Sequence, residues 1–415
     1  MSLVLDRRRG FAAGALAFAV AMLGTTLPTP LYELYRQRFG FSELMITVIF
    51  AIYAAGVIVA LLFFGHLSDQ IGRRRVLLPG LALSALSAAA FLMARGLPLL
   101  LAGRILSGLS AGIFTGTATA TLVDLAPPGQ RGRATLVATI ANMAGLGCGP
   151  LLAGVLSQWA GSPIRVAFWV DLALLVPAAV GIWAMPEPVA RTGHSRVRLR
   201  APAVPREMRP TFIRASLAGF AGFAVLGLFT AVAPAFLGQG LGVTNRAVLG
   251  LVVFAVFAAS ALGQMLLALV PDEWALPAGC VALIAGMALL VLSLALSSLA
   301  LLVLAGVVAG LGQGLSFRAG LTALNTSAPT MQRAEVASSF FIVAYLAISL
   351  PVIGEGALAQ ATGLRAAGFT FAAVVAALSA IVLALLARAR EREPRPLEDH
   401  RHVRRATSRV RAEQS

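Results

Sequence analysis

The sequence predicts an all-α, polytopic membrane protein with twelve transmembrane helices in two six-helix bundles. Three observations carry this. Of 415 residues, 59% are hydrophobic and only 12% charged, and the mean hydropathy is +0.87. No soluble chain of this size covers so much apolar surface. The apolar residues fall in blocks of about twenty, the length a helix needs to cross the hydrocarbon core. The alternating segments of a transmembrane β-barrel do not occur.

The first block opens with "DRRRGFAAGALAFAVAML". It shares features with a signal peptide, and Arg8-Arg9-Gly10-Phe11 resembles a twin-arginine signal. No cleavage site precedes a soluble domain, so it reads as an uncleaved span over 11–32 with its arginines retained inside. Spans then follow at 43–64, 76–94, 98–122, 134–157 and 164–185. The stretch from Pro186 to Pro210 is rich in Pro and Arg and reads as a linker on the cytoplasmic side. The second set is expected at 211–237, 246–269, 275–296, 298–322, 334–358 and 365–388, with a very short turn at Ser297. The domain organisation is therefore an N-terminal bundle over 1–185, a linker over 186–210, a C-terminal bundle over 211–388 and a disordered tail over 389–415.

Arginine alone carries the net charge of +16, since the chain has no lysine. Excluding the tail, sixteen arginines fall in segments on the side of the termini and six on the other. The positive-inside rule then places both termini in the cytoplasm. Cys148 and Cys280 lie inside apolar blocks and offer no disulfide framework or metal cluster. All four histidines (His66, His194, His400 and His402) lie in loops or the tail, and no nucleophile–base pairing emerges to suggest an enzyme. A phosphate-binding GxxxxGK[ST] loop is impossible without lysine, so energy must come from an ion gradient or from the substrate's own.

Sliding the chain by 202 residues aligns Gly108 with Gly310, Gly112 with Gly314, Gln130-Arg131 with Gln332-Arg333, Gly154 with Gly356 and Gln158 with Gln360. One shift serves loops and spans alike. Six spans per repeat make the repeats parallel, related by an axis along the membrane normal. Such a duplication places a cavity between two bundles that rock against each other, the architecture of a transporter. A non-transporting receptor would explain neither the duplication nor the motifs below.

Between the second and third spans lies "GHLSDQIGRRR". Its glycines permit a tight reversal, and an arginine there can pair with a carboxylate on the next helix. Asp124, at the cytoplasmic end of span four, is the natural partner for Arg73. "LLAGRILSGLSAG" sets Arg104 about two turns into span four, where an unpaired guanidinium is costly and either functional or snorkelling outward. "GLGCGPLLAG" in span five carries Gly145, Gly149, Pro150 and Gly154, small residues for close packing and a proline for a kink.

The first of these segments resembles the loop 2–3 signature of the major facilitator superfamily, matching at Gly65, Asp69, Gly72, Arg73 and Arg74. The second resembles that superfamily's span-four motif, and the third the antiporter motif of its 12-span drug–proton antiporter branch. "LGTTLPTPLY" in span one resembles the branch's Pro-rich motif through Gly24, Pro28 and Pro30. Some members carry a carboxylate in this span, but Thr25 and Thr26 stand here. The resemblance implies a major facilitator fold. Gly65, Asp69, Gly72, Arg73, Arg74 and Asp124 would form a conformational latch, and Arg104 would take part in proton coupling. It further implies cavity walls from spans one, four, seven and ten, with Thr25, Thr26, Phe114, Phe229, Thr230, Gln313 and Phe317 as lining candidates.

Only Asp171 and Glu355 fall clearly within apolar runs, and Glu33 stands just past the outer end of span one. A carboxylate inside an apolar span is a proton-carrying candidate, so these three join Arg104. A mostly apolar cavity suits lipophilic compounds. The expected function is secondary active, proton-coupled export of small hydrophobic compounds or drugs. A symporter or facilitator for a small metabolite is the alternative. The expected partners are a small-molecule substrate, protons and the lipid bilayer of a bacterial inner membrane, with no nucleic acid, cofactor or metal and a monomer as the functional unit.

Overall fold

The computed structural model describes residues 5–64, 67–189, 203–329 and 332–392. The linker from 190 to 202, the tail from 393 onwards, and Gly65 with His66 lie outside the described residues. Among the described residues, twelve helices are long and apolar enough to cross a membrane. They are α1 (Arg7–Thr26), α2 (Glu43–Phe64), α3 (Arg73–Leu92), α4 (Leu97–Leu125), α5 (Arg131–Trp159), α6 (Arg165–Ala184), α7 (Arg209–Ala231), α8 (Arg246–Leu266), α9 (Asp272–Leu296), α10 (Leu299–Ser327), α11 (Arg333–Thr362) and α12 (Leu364–Arg392). Arg7 and Arg392 thus share one face, called here the terminal face.

Each helix boundary has a local cause. Asp6 caps α1, its carboxylate accepting from the Arg9 amide at 2.7 Å. Pro28 and Pro30 interrupt the first span. A 3₁₀ turn over Thr29–Leu31 leads into a short helix, Tyr32–Phe39, closed by Gly40 at φ 71°. The seventh span breaks likewise near Pro234, and Phe236–Gly240 forms a π-turn. Sequence reading ran both spans straight through, because a proline two residues from an apolar run does not say which helix turn yields. Ser297, in the left-handed region at φ 51°, makes the short turn expected between α9 and α10, and Ser298 caps α10. The last helix continues to Arg392, beyond the expected end at 388.

The 202-residue repeat reappears as repeated packing. A side chain at Gly108 or Gly112 would strike the α2 backbone at Tyr53 or Val57. At Gly310 and Gly314 it would strike the α8 backbone at Val256 and Ser260. Gly154 lies against Arg246 of α8, and its repeat mate Gly356 lies against Thr47 of α2. The two halves therefore meet along α5–α8 and α2–α11. Further contacts on these seams are Pro150 with Gly250, Ser349 Oγ donating to the Ala51 carbonyl at 3.2 Å, and Tyr53 edge-on to Tyr345 at 6.1 Å. On the far face, Gln239 donates to Glu43 and the Arg246 amide to Gln158 Oε1. These contacts run from mid-helix to the far face, whereas Arg131, Gly132 and Arg133 at the terminal face are exposed.

Candidate transport site and latch

At the terminal face, Arg73 is the hub of a charged cluster. Its guanidinium meets Asp69 at 2.6 Å and Asp124 at 3.0 Å, and donates to Ser68 Oγ at 2.7 Å. Gly72, at φ 103°, turns the chain so that the first α3 amides, of Arg73 and Arg74, donate to the Glu187 carboxylate at 2.8 and 3.1 Å. Glu187 therefore caps α3. Sequence reasoning missed it because "MPEPV" reads as linker; the acid directly after span six was the available signal. Arg74 lies over the Trp183 ring at 5.5 Å. Arg7 of α1 reaches the Asp124 carbonyl at 2.6 Å, tying the first helix to the same corner.

Deeper in the N-terminal half, Arg104 is 2% exposed, so it does not snorkel. Its guanidinium donates to the carbonyls of Thr25 (2.6 Å), Phe50 (3.1 Å) and Ile49 (3.3 Å). The rings of Tyr53 and Phe50 lie 4.6 and 5.5 Å from its central carbon. Three helices, α1, α2 and α4, are thus joined through one buried cation. Its hydrogen-bond acceptors here are neutral carbonyls.

Asp171 of α6 packs against α1 one residue earlier, beside Gly24. It is 2% exposed, and its Oδ1 has no hydrogen-bonding partner among the described residues. A methyl group on Gly24 would lie 3.0 Å from Asp171 Oδ2 and 3.1 Å from Ser84 Oγ of α3. On the other side of α1, Thr26 Oγ1 donates to the Leu146 carbonyl of α5 at 2.7 Å. Gly145 and Gly149 admit the α1 backbone at Ala19 and Leu23, while Pro150 and Gly154 face α8 of the other half. The glycine motif therefore serves two helices at once.

The other acids stand apart. Glu355, 5% exposed, projects into a small apolar space among Phe229, Val232, Leu290, Leu294 and Leu302, and its Oε2 has no partner among the described residues. Glu33 is half exposed on the far face and paired with Arg36 at 2.7 Å. The structure brings together Arg104, Asp171, Gly24, Thr25 and Gly149, and leaves Glu33 and Glu355 outside that group.

The lining candidates mostly pack within the bundles. Thr25 and Thr230 donate to carbonyls of their own helices, Met22 at 2.7 Å and Leu226 at 2.6 Å. Phe114 fills the space beside Gly80 and Phe18, and Phe229 that beside Gly306. Gln313 accepts from Ser260 Oγ at 2.5 Å. Phe317 alone of the seven is only part-buried, within a ring cluster with Phe223 (5.2 Å), Phe340 (5.7 Å) and Phe341 (5.9 Å). The resemblance supplied the spans for these residues, and their packing partners come from the structure alone.

The family profile described as Major Facilitator Superfamily matches residues 14–350 and 215–413. The chain belongs to the Major Facilitator Superfamily. It is a multi-pass membrane protein. Multidrug resistance protein MdtL of Escherichia coli O81 (strain ED1a) is 35% identical over 131 residues, which is 31% of this chain and 32% of that protein. MdtL of Escherichia coli K12 (strain DH10B) is 40% identical over 83 residues, covering 20% and 21%. The chain thus matches a third or less of the length of these curated relatives. Two solved structures share the fold. One is a POT family transporter in complex with a thioalcohol-conjugated peptide (TM-score 0.75, 12% identity, 92% of this chain and 96% of that one). The other is a bacterial homologue of the human lysosomal transporter Spinster in an inward-facing, unoccupied conformation (TM-score 0.68, 16% identity, 92% and 98%).

Proposed function

We propose that this superfamily member exports small hydrophobic compounds or drugs from the cytoplasm in exchange for protons, by alternating access, across a bacterial inner membrane. The terminal face is the cytoplasmic one in this reading. One observation carries it: two buried ionisable groups meet α1 at consecutive residues, the Asp171 carboxyl packing beside Gly24 and the Arg104 guanidinium donating to the Thr25 carbonyl. Protonation removes the negative charge of the Asp171 carboxylate. The balance of charge around this turn of α1 therefore changes with one proton. Because α1 also packs on α5, and α5 carries the seam to α8, a shift of α1 reaches the contact between the halves. The multidrug resistance proteins among its relatives support a drug cargo, and the part-buried ring cluster around Phe317 supports a lipophilic one.

The test uses everted membrane vesicles energised by respiration, with a pH-sensitive dye reporting lumenal acidification. Adding lipophilic drugs to wild-type vesicles is expected to release protons. Asp171→Asn is expected to abolish that release, with Arg104→Ala losing it as well. Drug-dependent proton release that survives Asp171→Asn would overturn the assignment of the proton to this residue. Inserted protein that moves compounds without proton release would favour the metabolite symporter or facilitator.

A further inference from the structure

A second feature of the terminal face lies beside the Arg73 cluster and takes no part in the proton step. The start of α1, the end of α4, the start of α5 and Pro188 enclose a groove of about 980 Å³. Four guanidiniums line it: Arg7, Arg8, Arg131 and Arg133. The one acid in its wall is Asp124, whose carboxylate is already engaged by Arg73 and whose carbonyl accepts from Arg7. Among the described residues no carboxylate pairs with Arg8, Arg131 or Arg133. Apart from Gln130 the remaining lining is apolar, with Phe11, Val123, Leu125 and Val137 continuing from the charged rim toward the membrane interior. Positive charge over an apolar floor, at the level where three spanning helices end, is complementary to an amphiphile with an anionic head.

We infer that this groove binds the head group of an anionic phospholipid, its phosphate held between the α1 arginines and the α5 arginines. Guanidinium forks match phosphate oxygens bidentately, and basic pockets beside membrane helices on the cytoplasmic side recruit anionic head groups. The apolar floor favours a lipid over a free phosphate, because it receives the glycerol and the upper acyl chain. The inference rests on the cytoplasmic assignment of the terminal face, but not on proton coupling. A bound lipid would tie the start of α1 to the start of α5 next to Asp124, steadying the corner in which Arg73 sits.

Native mass spectrometry of the full-length protein in detergent, titrated with phosphatidylglycerol or phosphatidylcholine, tests this. Wild type is expected to retain one phosphatidylglycerol at about tenfold lower concentration than phosphatidylcholine, the order of magnitude that two or more guanidinium contacts at a membrane surface give. The pair Arg131→Ala with Arg133→Ala should bring phosphatidylglycerol down to the phosphatidylcholine level. Arg8→Gln, at an exposed position, should weaken it in the same direction and serves if the double variant does not fold. Arg38→Ala, exposed on the far face, should leave retention unchanged. Equal retention of the two lipids by wild type would overturn the proposal. Full displacement of phosphatidylglycerol by millimolar inorganic phosphate would overturn the lipid assignment in favour of a soluble anion. Because the readout is binding alone, it stands or falls independently of the vesicle experiment.

Discussion

At the scale of single residues, the contact between Gly24 and Asp171 is the most exposed to test. A methyl group on residue 24 would sit 3.0 Å from a carboxylate oxygen and 3.1 Å from Ser84 Oγ, so α1 or α6 must give way. Overpacking of a tight interior costs about 1–3 kcal/mol. Gly24→Ala is expected to reduce drug-dependent proton release several-fold, and adding Ser84→Ala should recover part of it. An unchanged rate in Gly24→Ala vesicles would show that this contact does not matter to the cycle. Glu187 supports a second prediction. Glu187→Ala leaves the first amides of α3 without their acceptor, which costs about 0.5–2 kcal/mol for a lost cap. Its thermal midpoint in detergent should fall, while Glu207→Ala, elsewhere in the linker region, should behave as wild type. The acid Arg73 would seek could be read from the sequence, because Asp124 closes span four on the face where Arg73 opens span three. The partners of Arg104 could not be read, because they are main-chain carbonyls and every residue has one.

At the scale of helices, α5 shows how one motif serves two neighbours. Gly145 and Gly149 face α1 within the same half, whereas Gly154 faces Arg246 of α8 in the other. The same substitution should therefore have two different effects. Gly145→Leu is expected to lower thermal stability, since it pushes α1 off its own bundle. Gly154→Leu should leave the bundle intact and part the far-face seam, where Gln158 and the Arg246 amide now meet at 2.9 Å. A cysteine introduced by Asn245→Cys would then react faster with an impermeant thiol reagent applied from the far side. Equal labelling with and without Gly154→Leu would refute the division of roles. The number and order of the spans were legible because twenty apolar residues leave few alternatives. The breaks after Thr26 and Ala231 were not, since where a proline-flanked span yields depends on what packs around it.

At the scale of the whole molecule, the pseudo-symmetry of the sequence becomes a symmetry of contacts. Gly154 and Gly356, 202 residues apart, both sit where one half touches the other, against Arg246 and Thr47. That equivalence was legible as a repeat. Which face the two seams close was not, because a glycine spacing marks a close helix contact without saying which partner helix makes it. A methyl group on Gly356 would lie 3.1 Å from the Thr47 Cβ. Thr47→Cys with Gly356→Cys, in a background lacking Cys148 and Cys280, should cross-link on oxidation and stop transport. Reduction should restore it. Continued transport by fully cross-linked protein would mean that the α2–α11 seam need not open.

The hydrogen bonds of the Arg104 guanidinium go to neutral carbonyls. A fixed positive charge inside a membrane feels the transmembrane voltage, about 2.3 kcal/mol for one charge carried across 100 mV. Any movement of the first, second and fourth helices along the membrane normal would thus move charge through that field, whatever the cargo carries. The membrane potential would then bias the resting position of the N-terminal half even for an uncharged substrate.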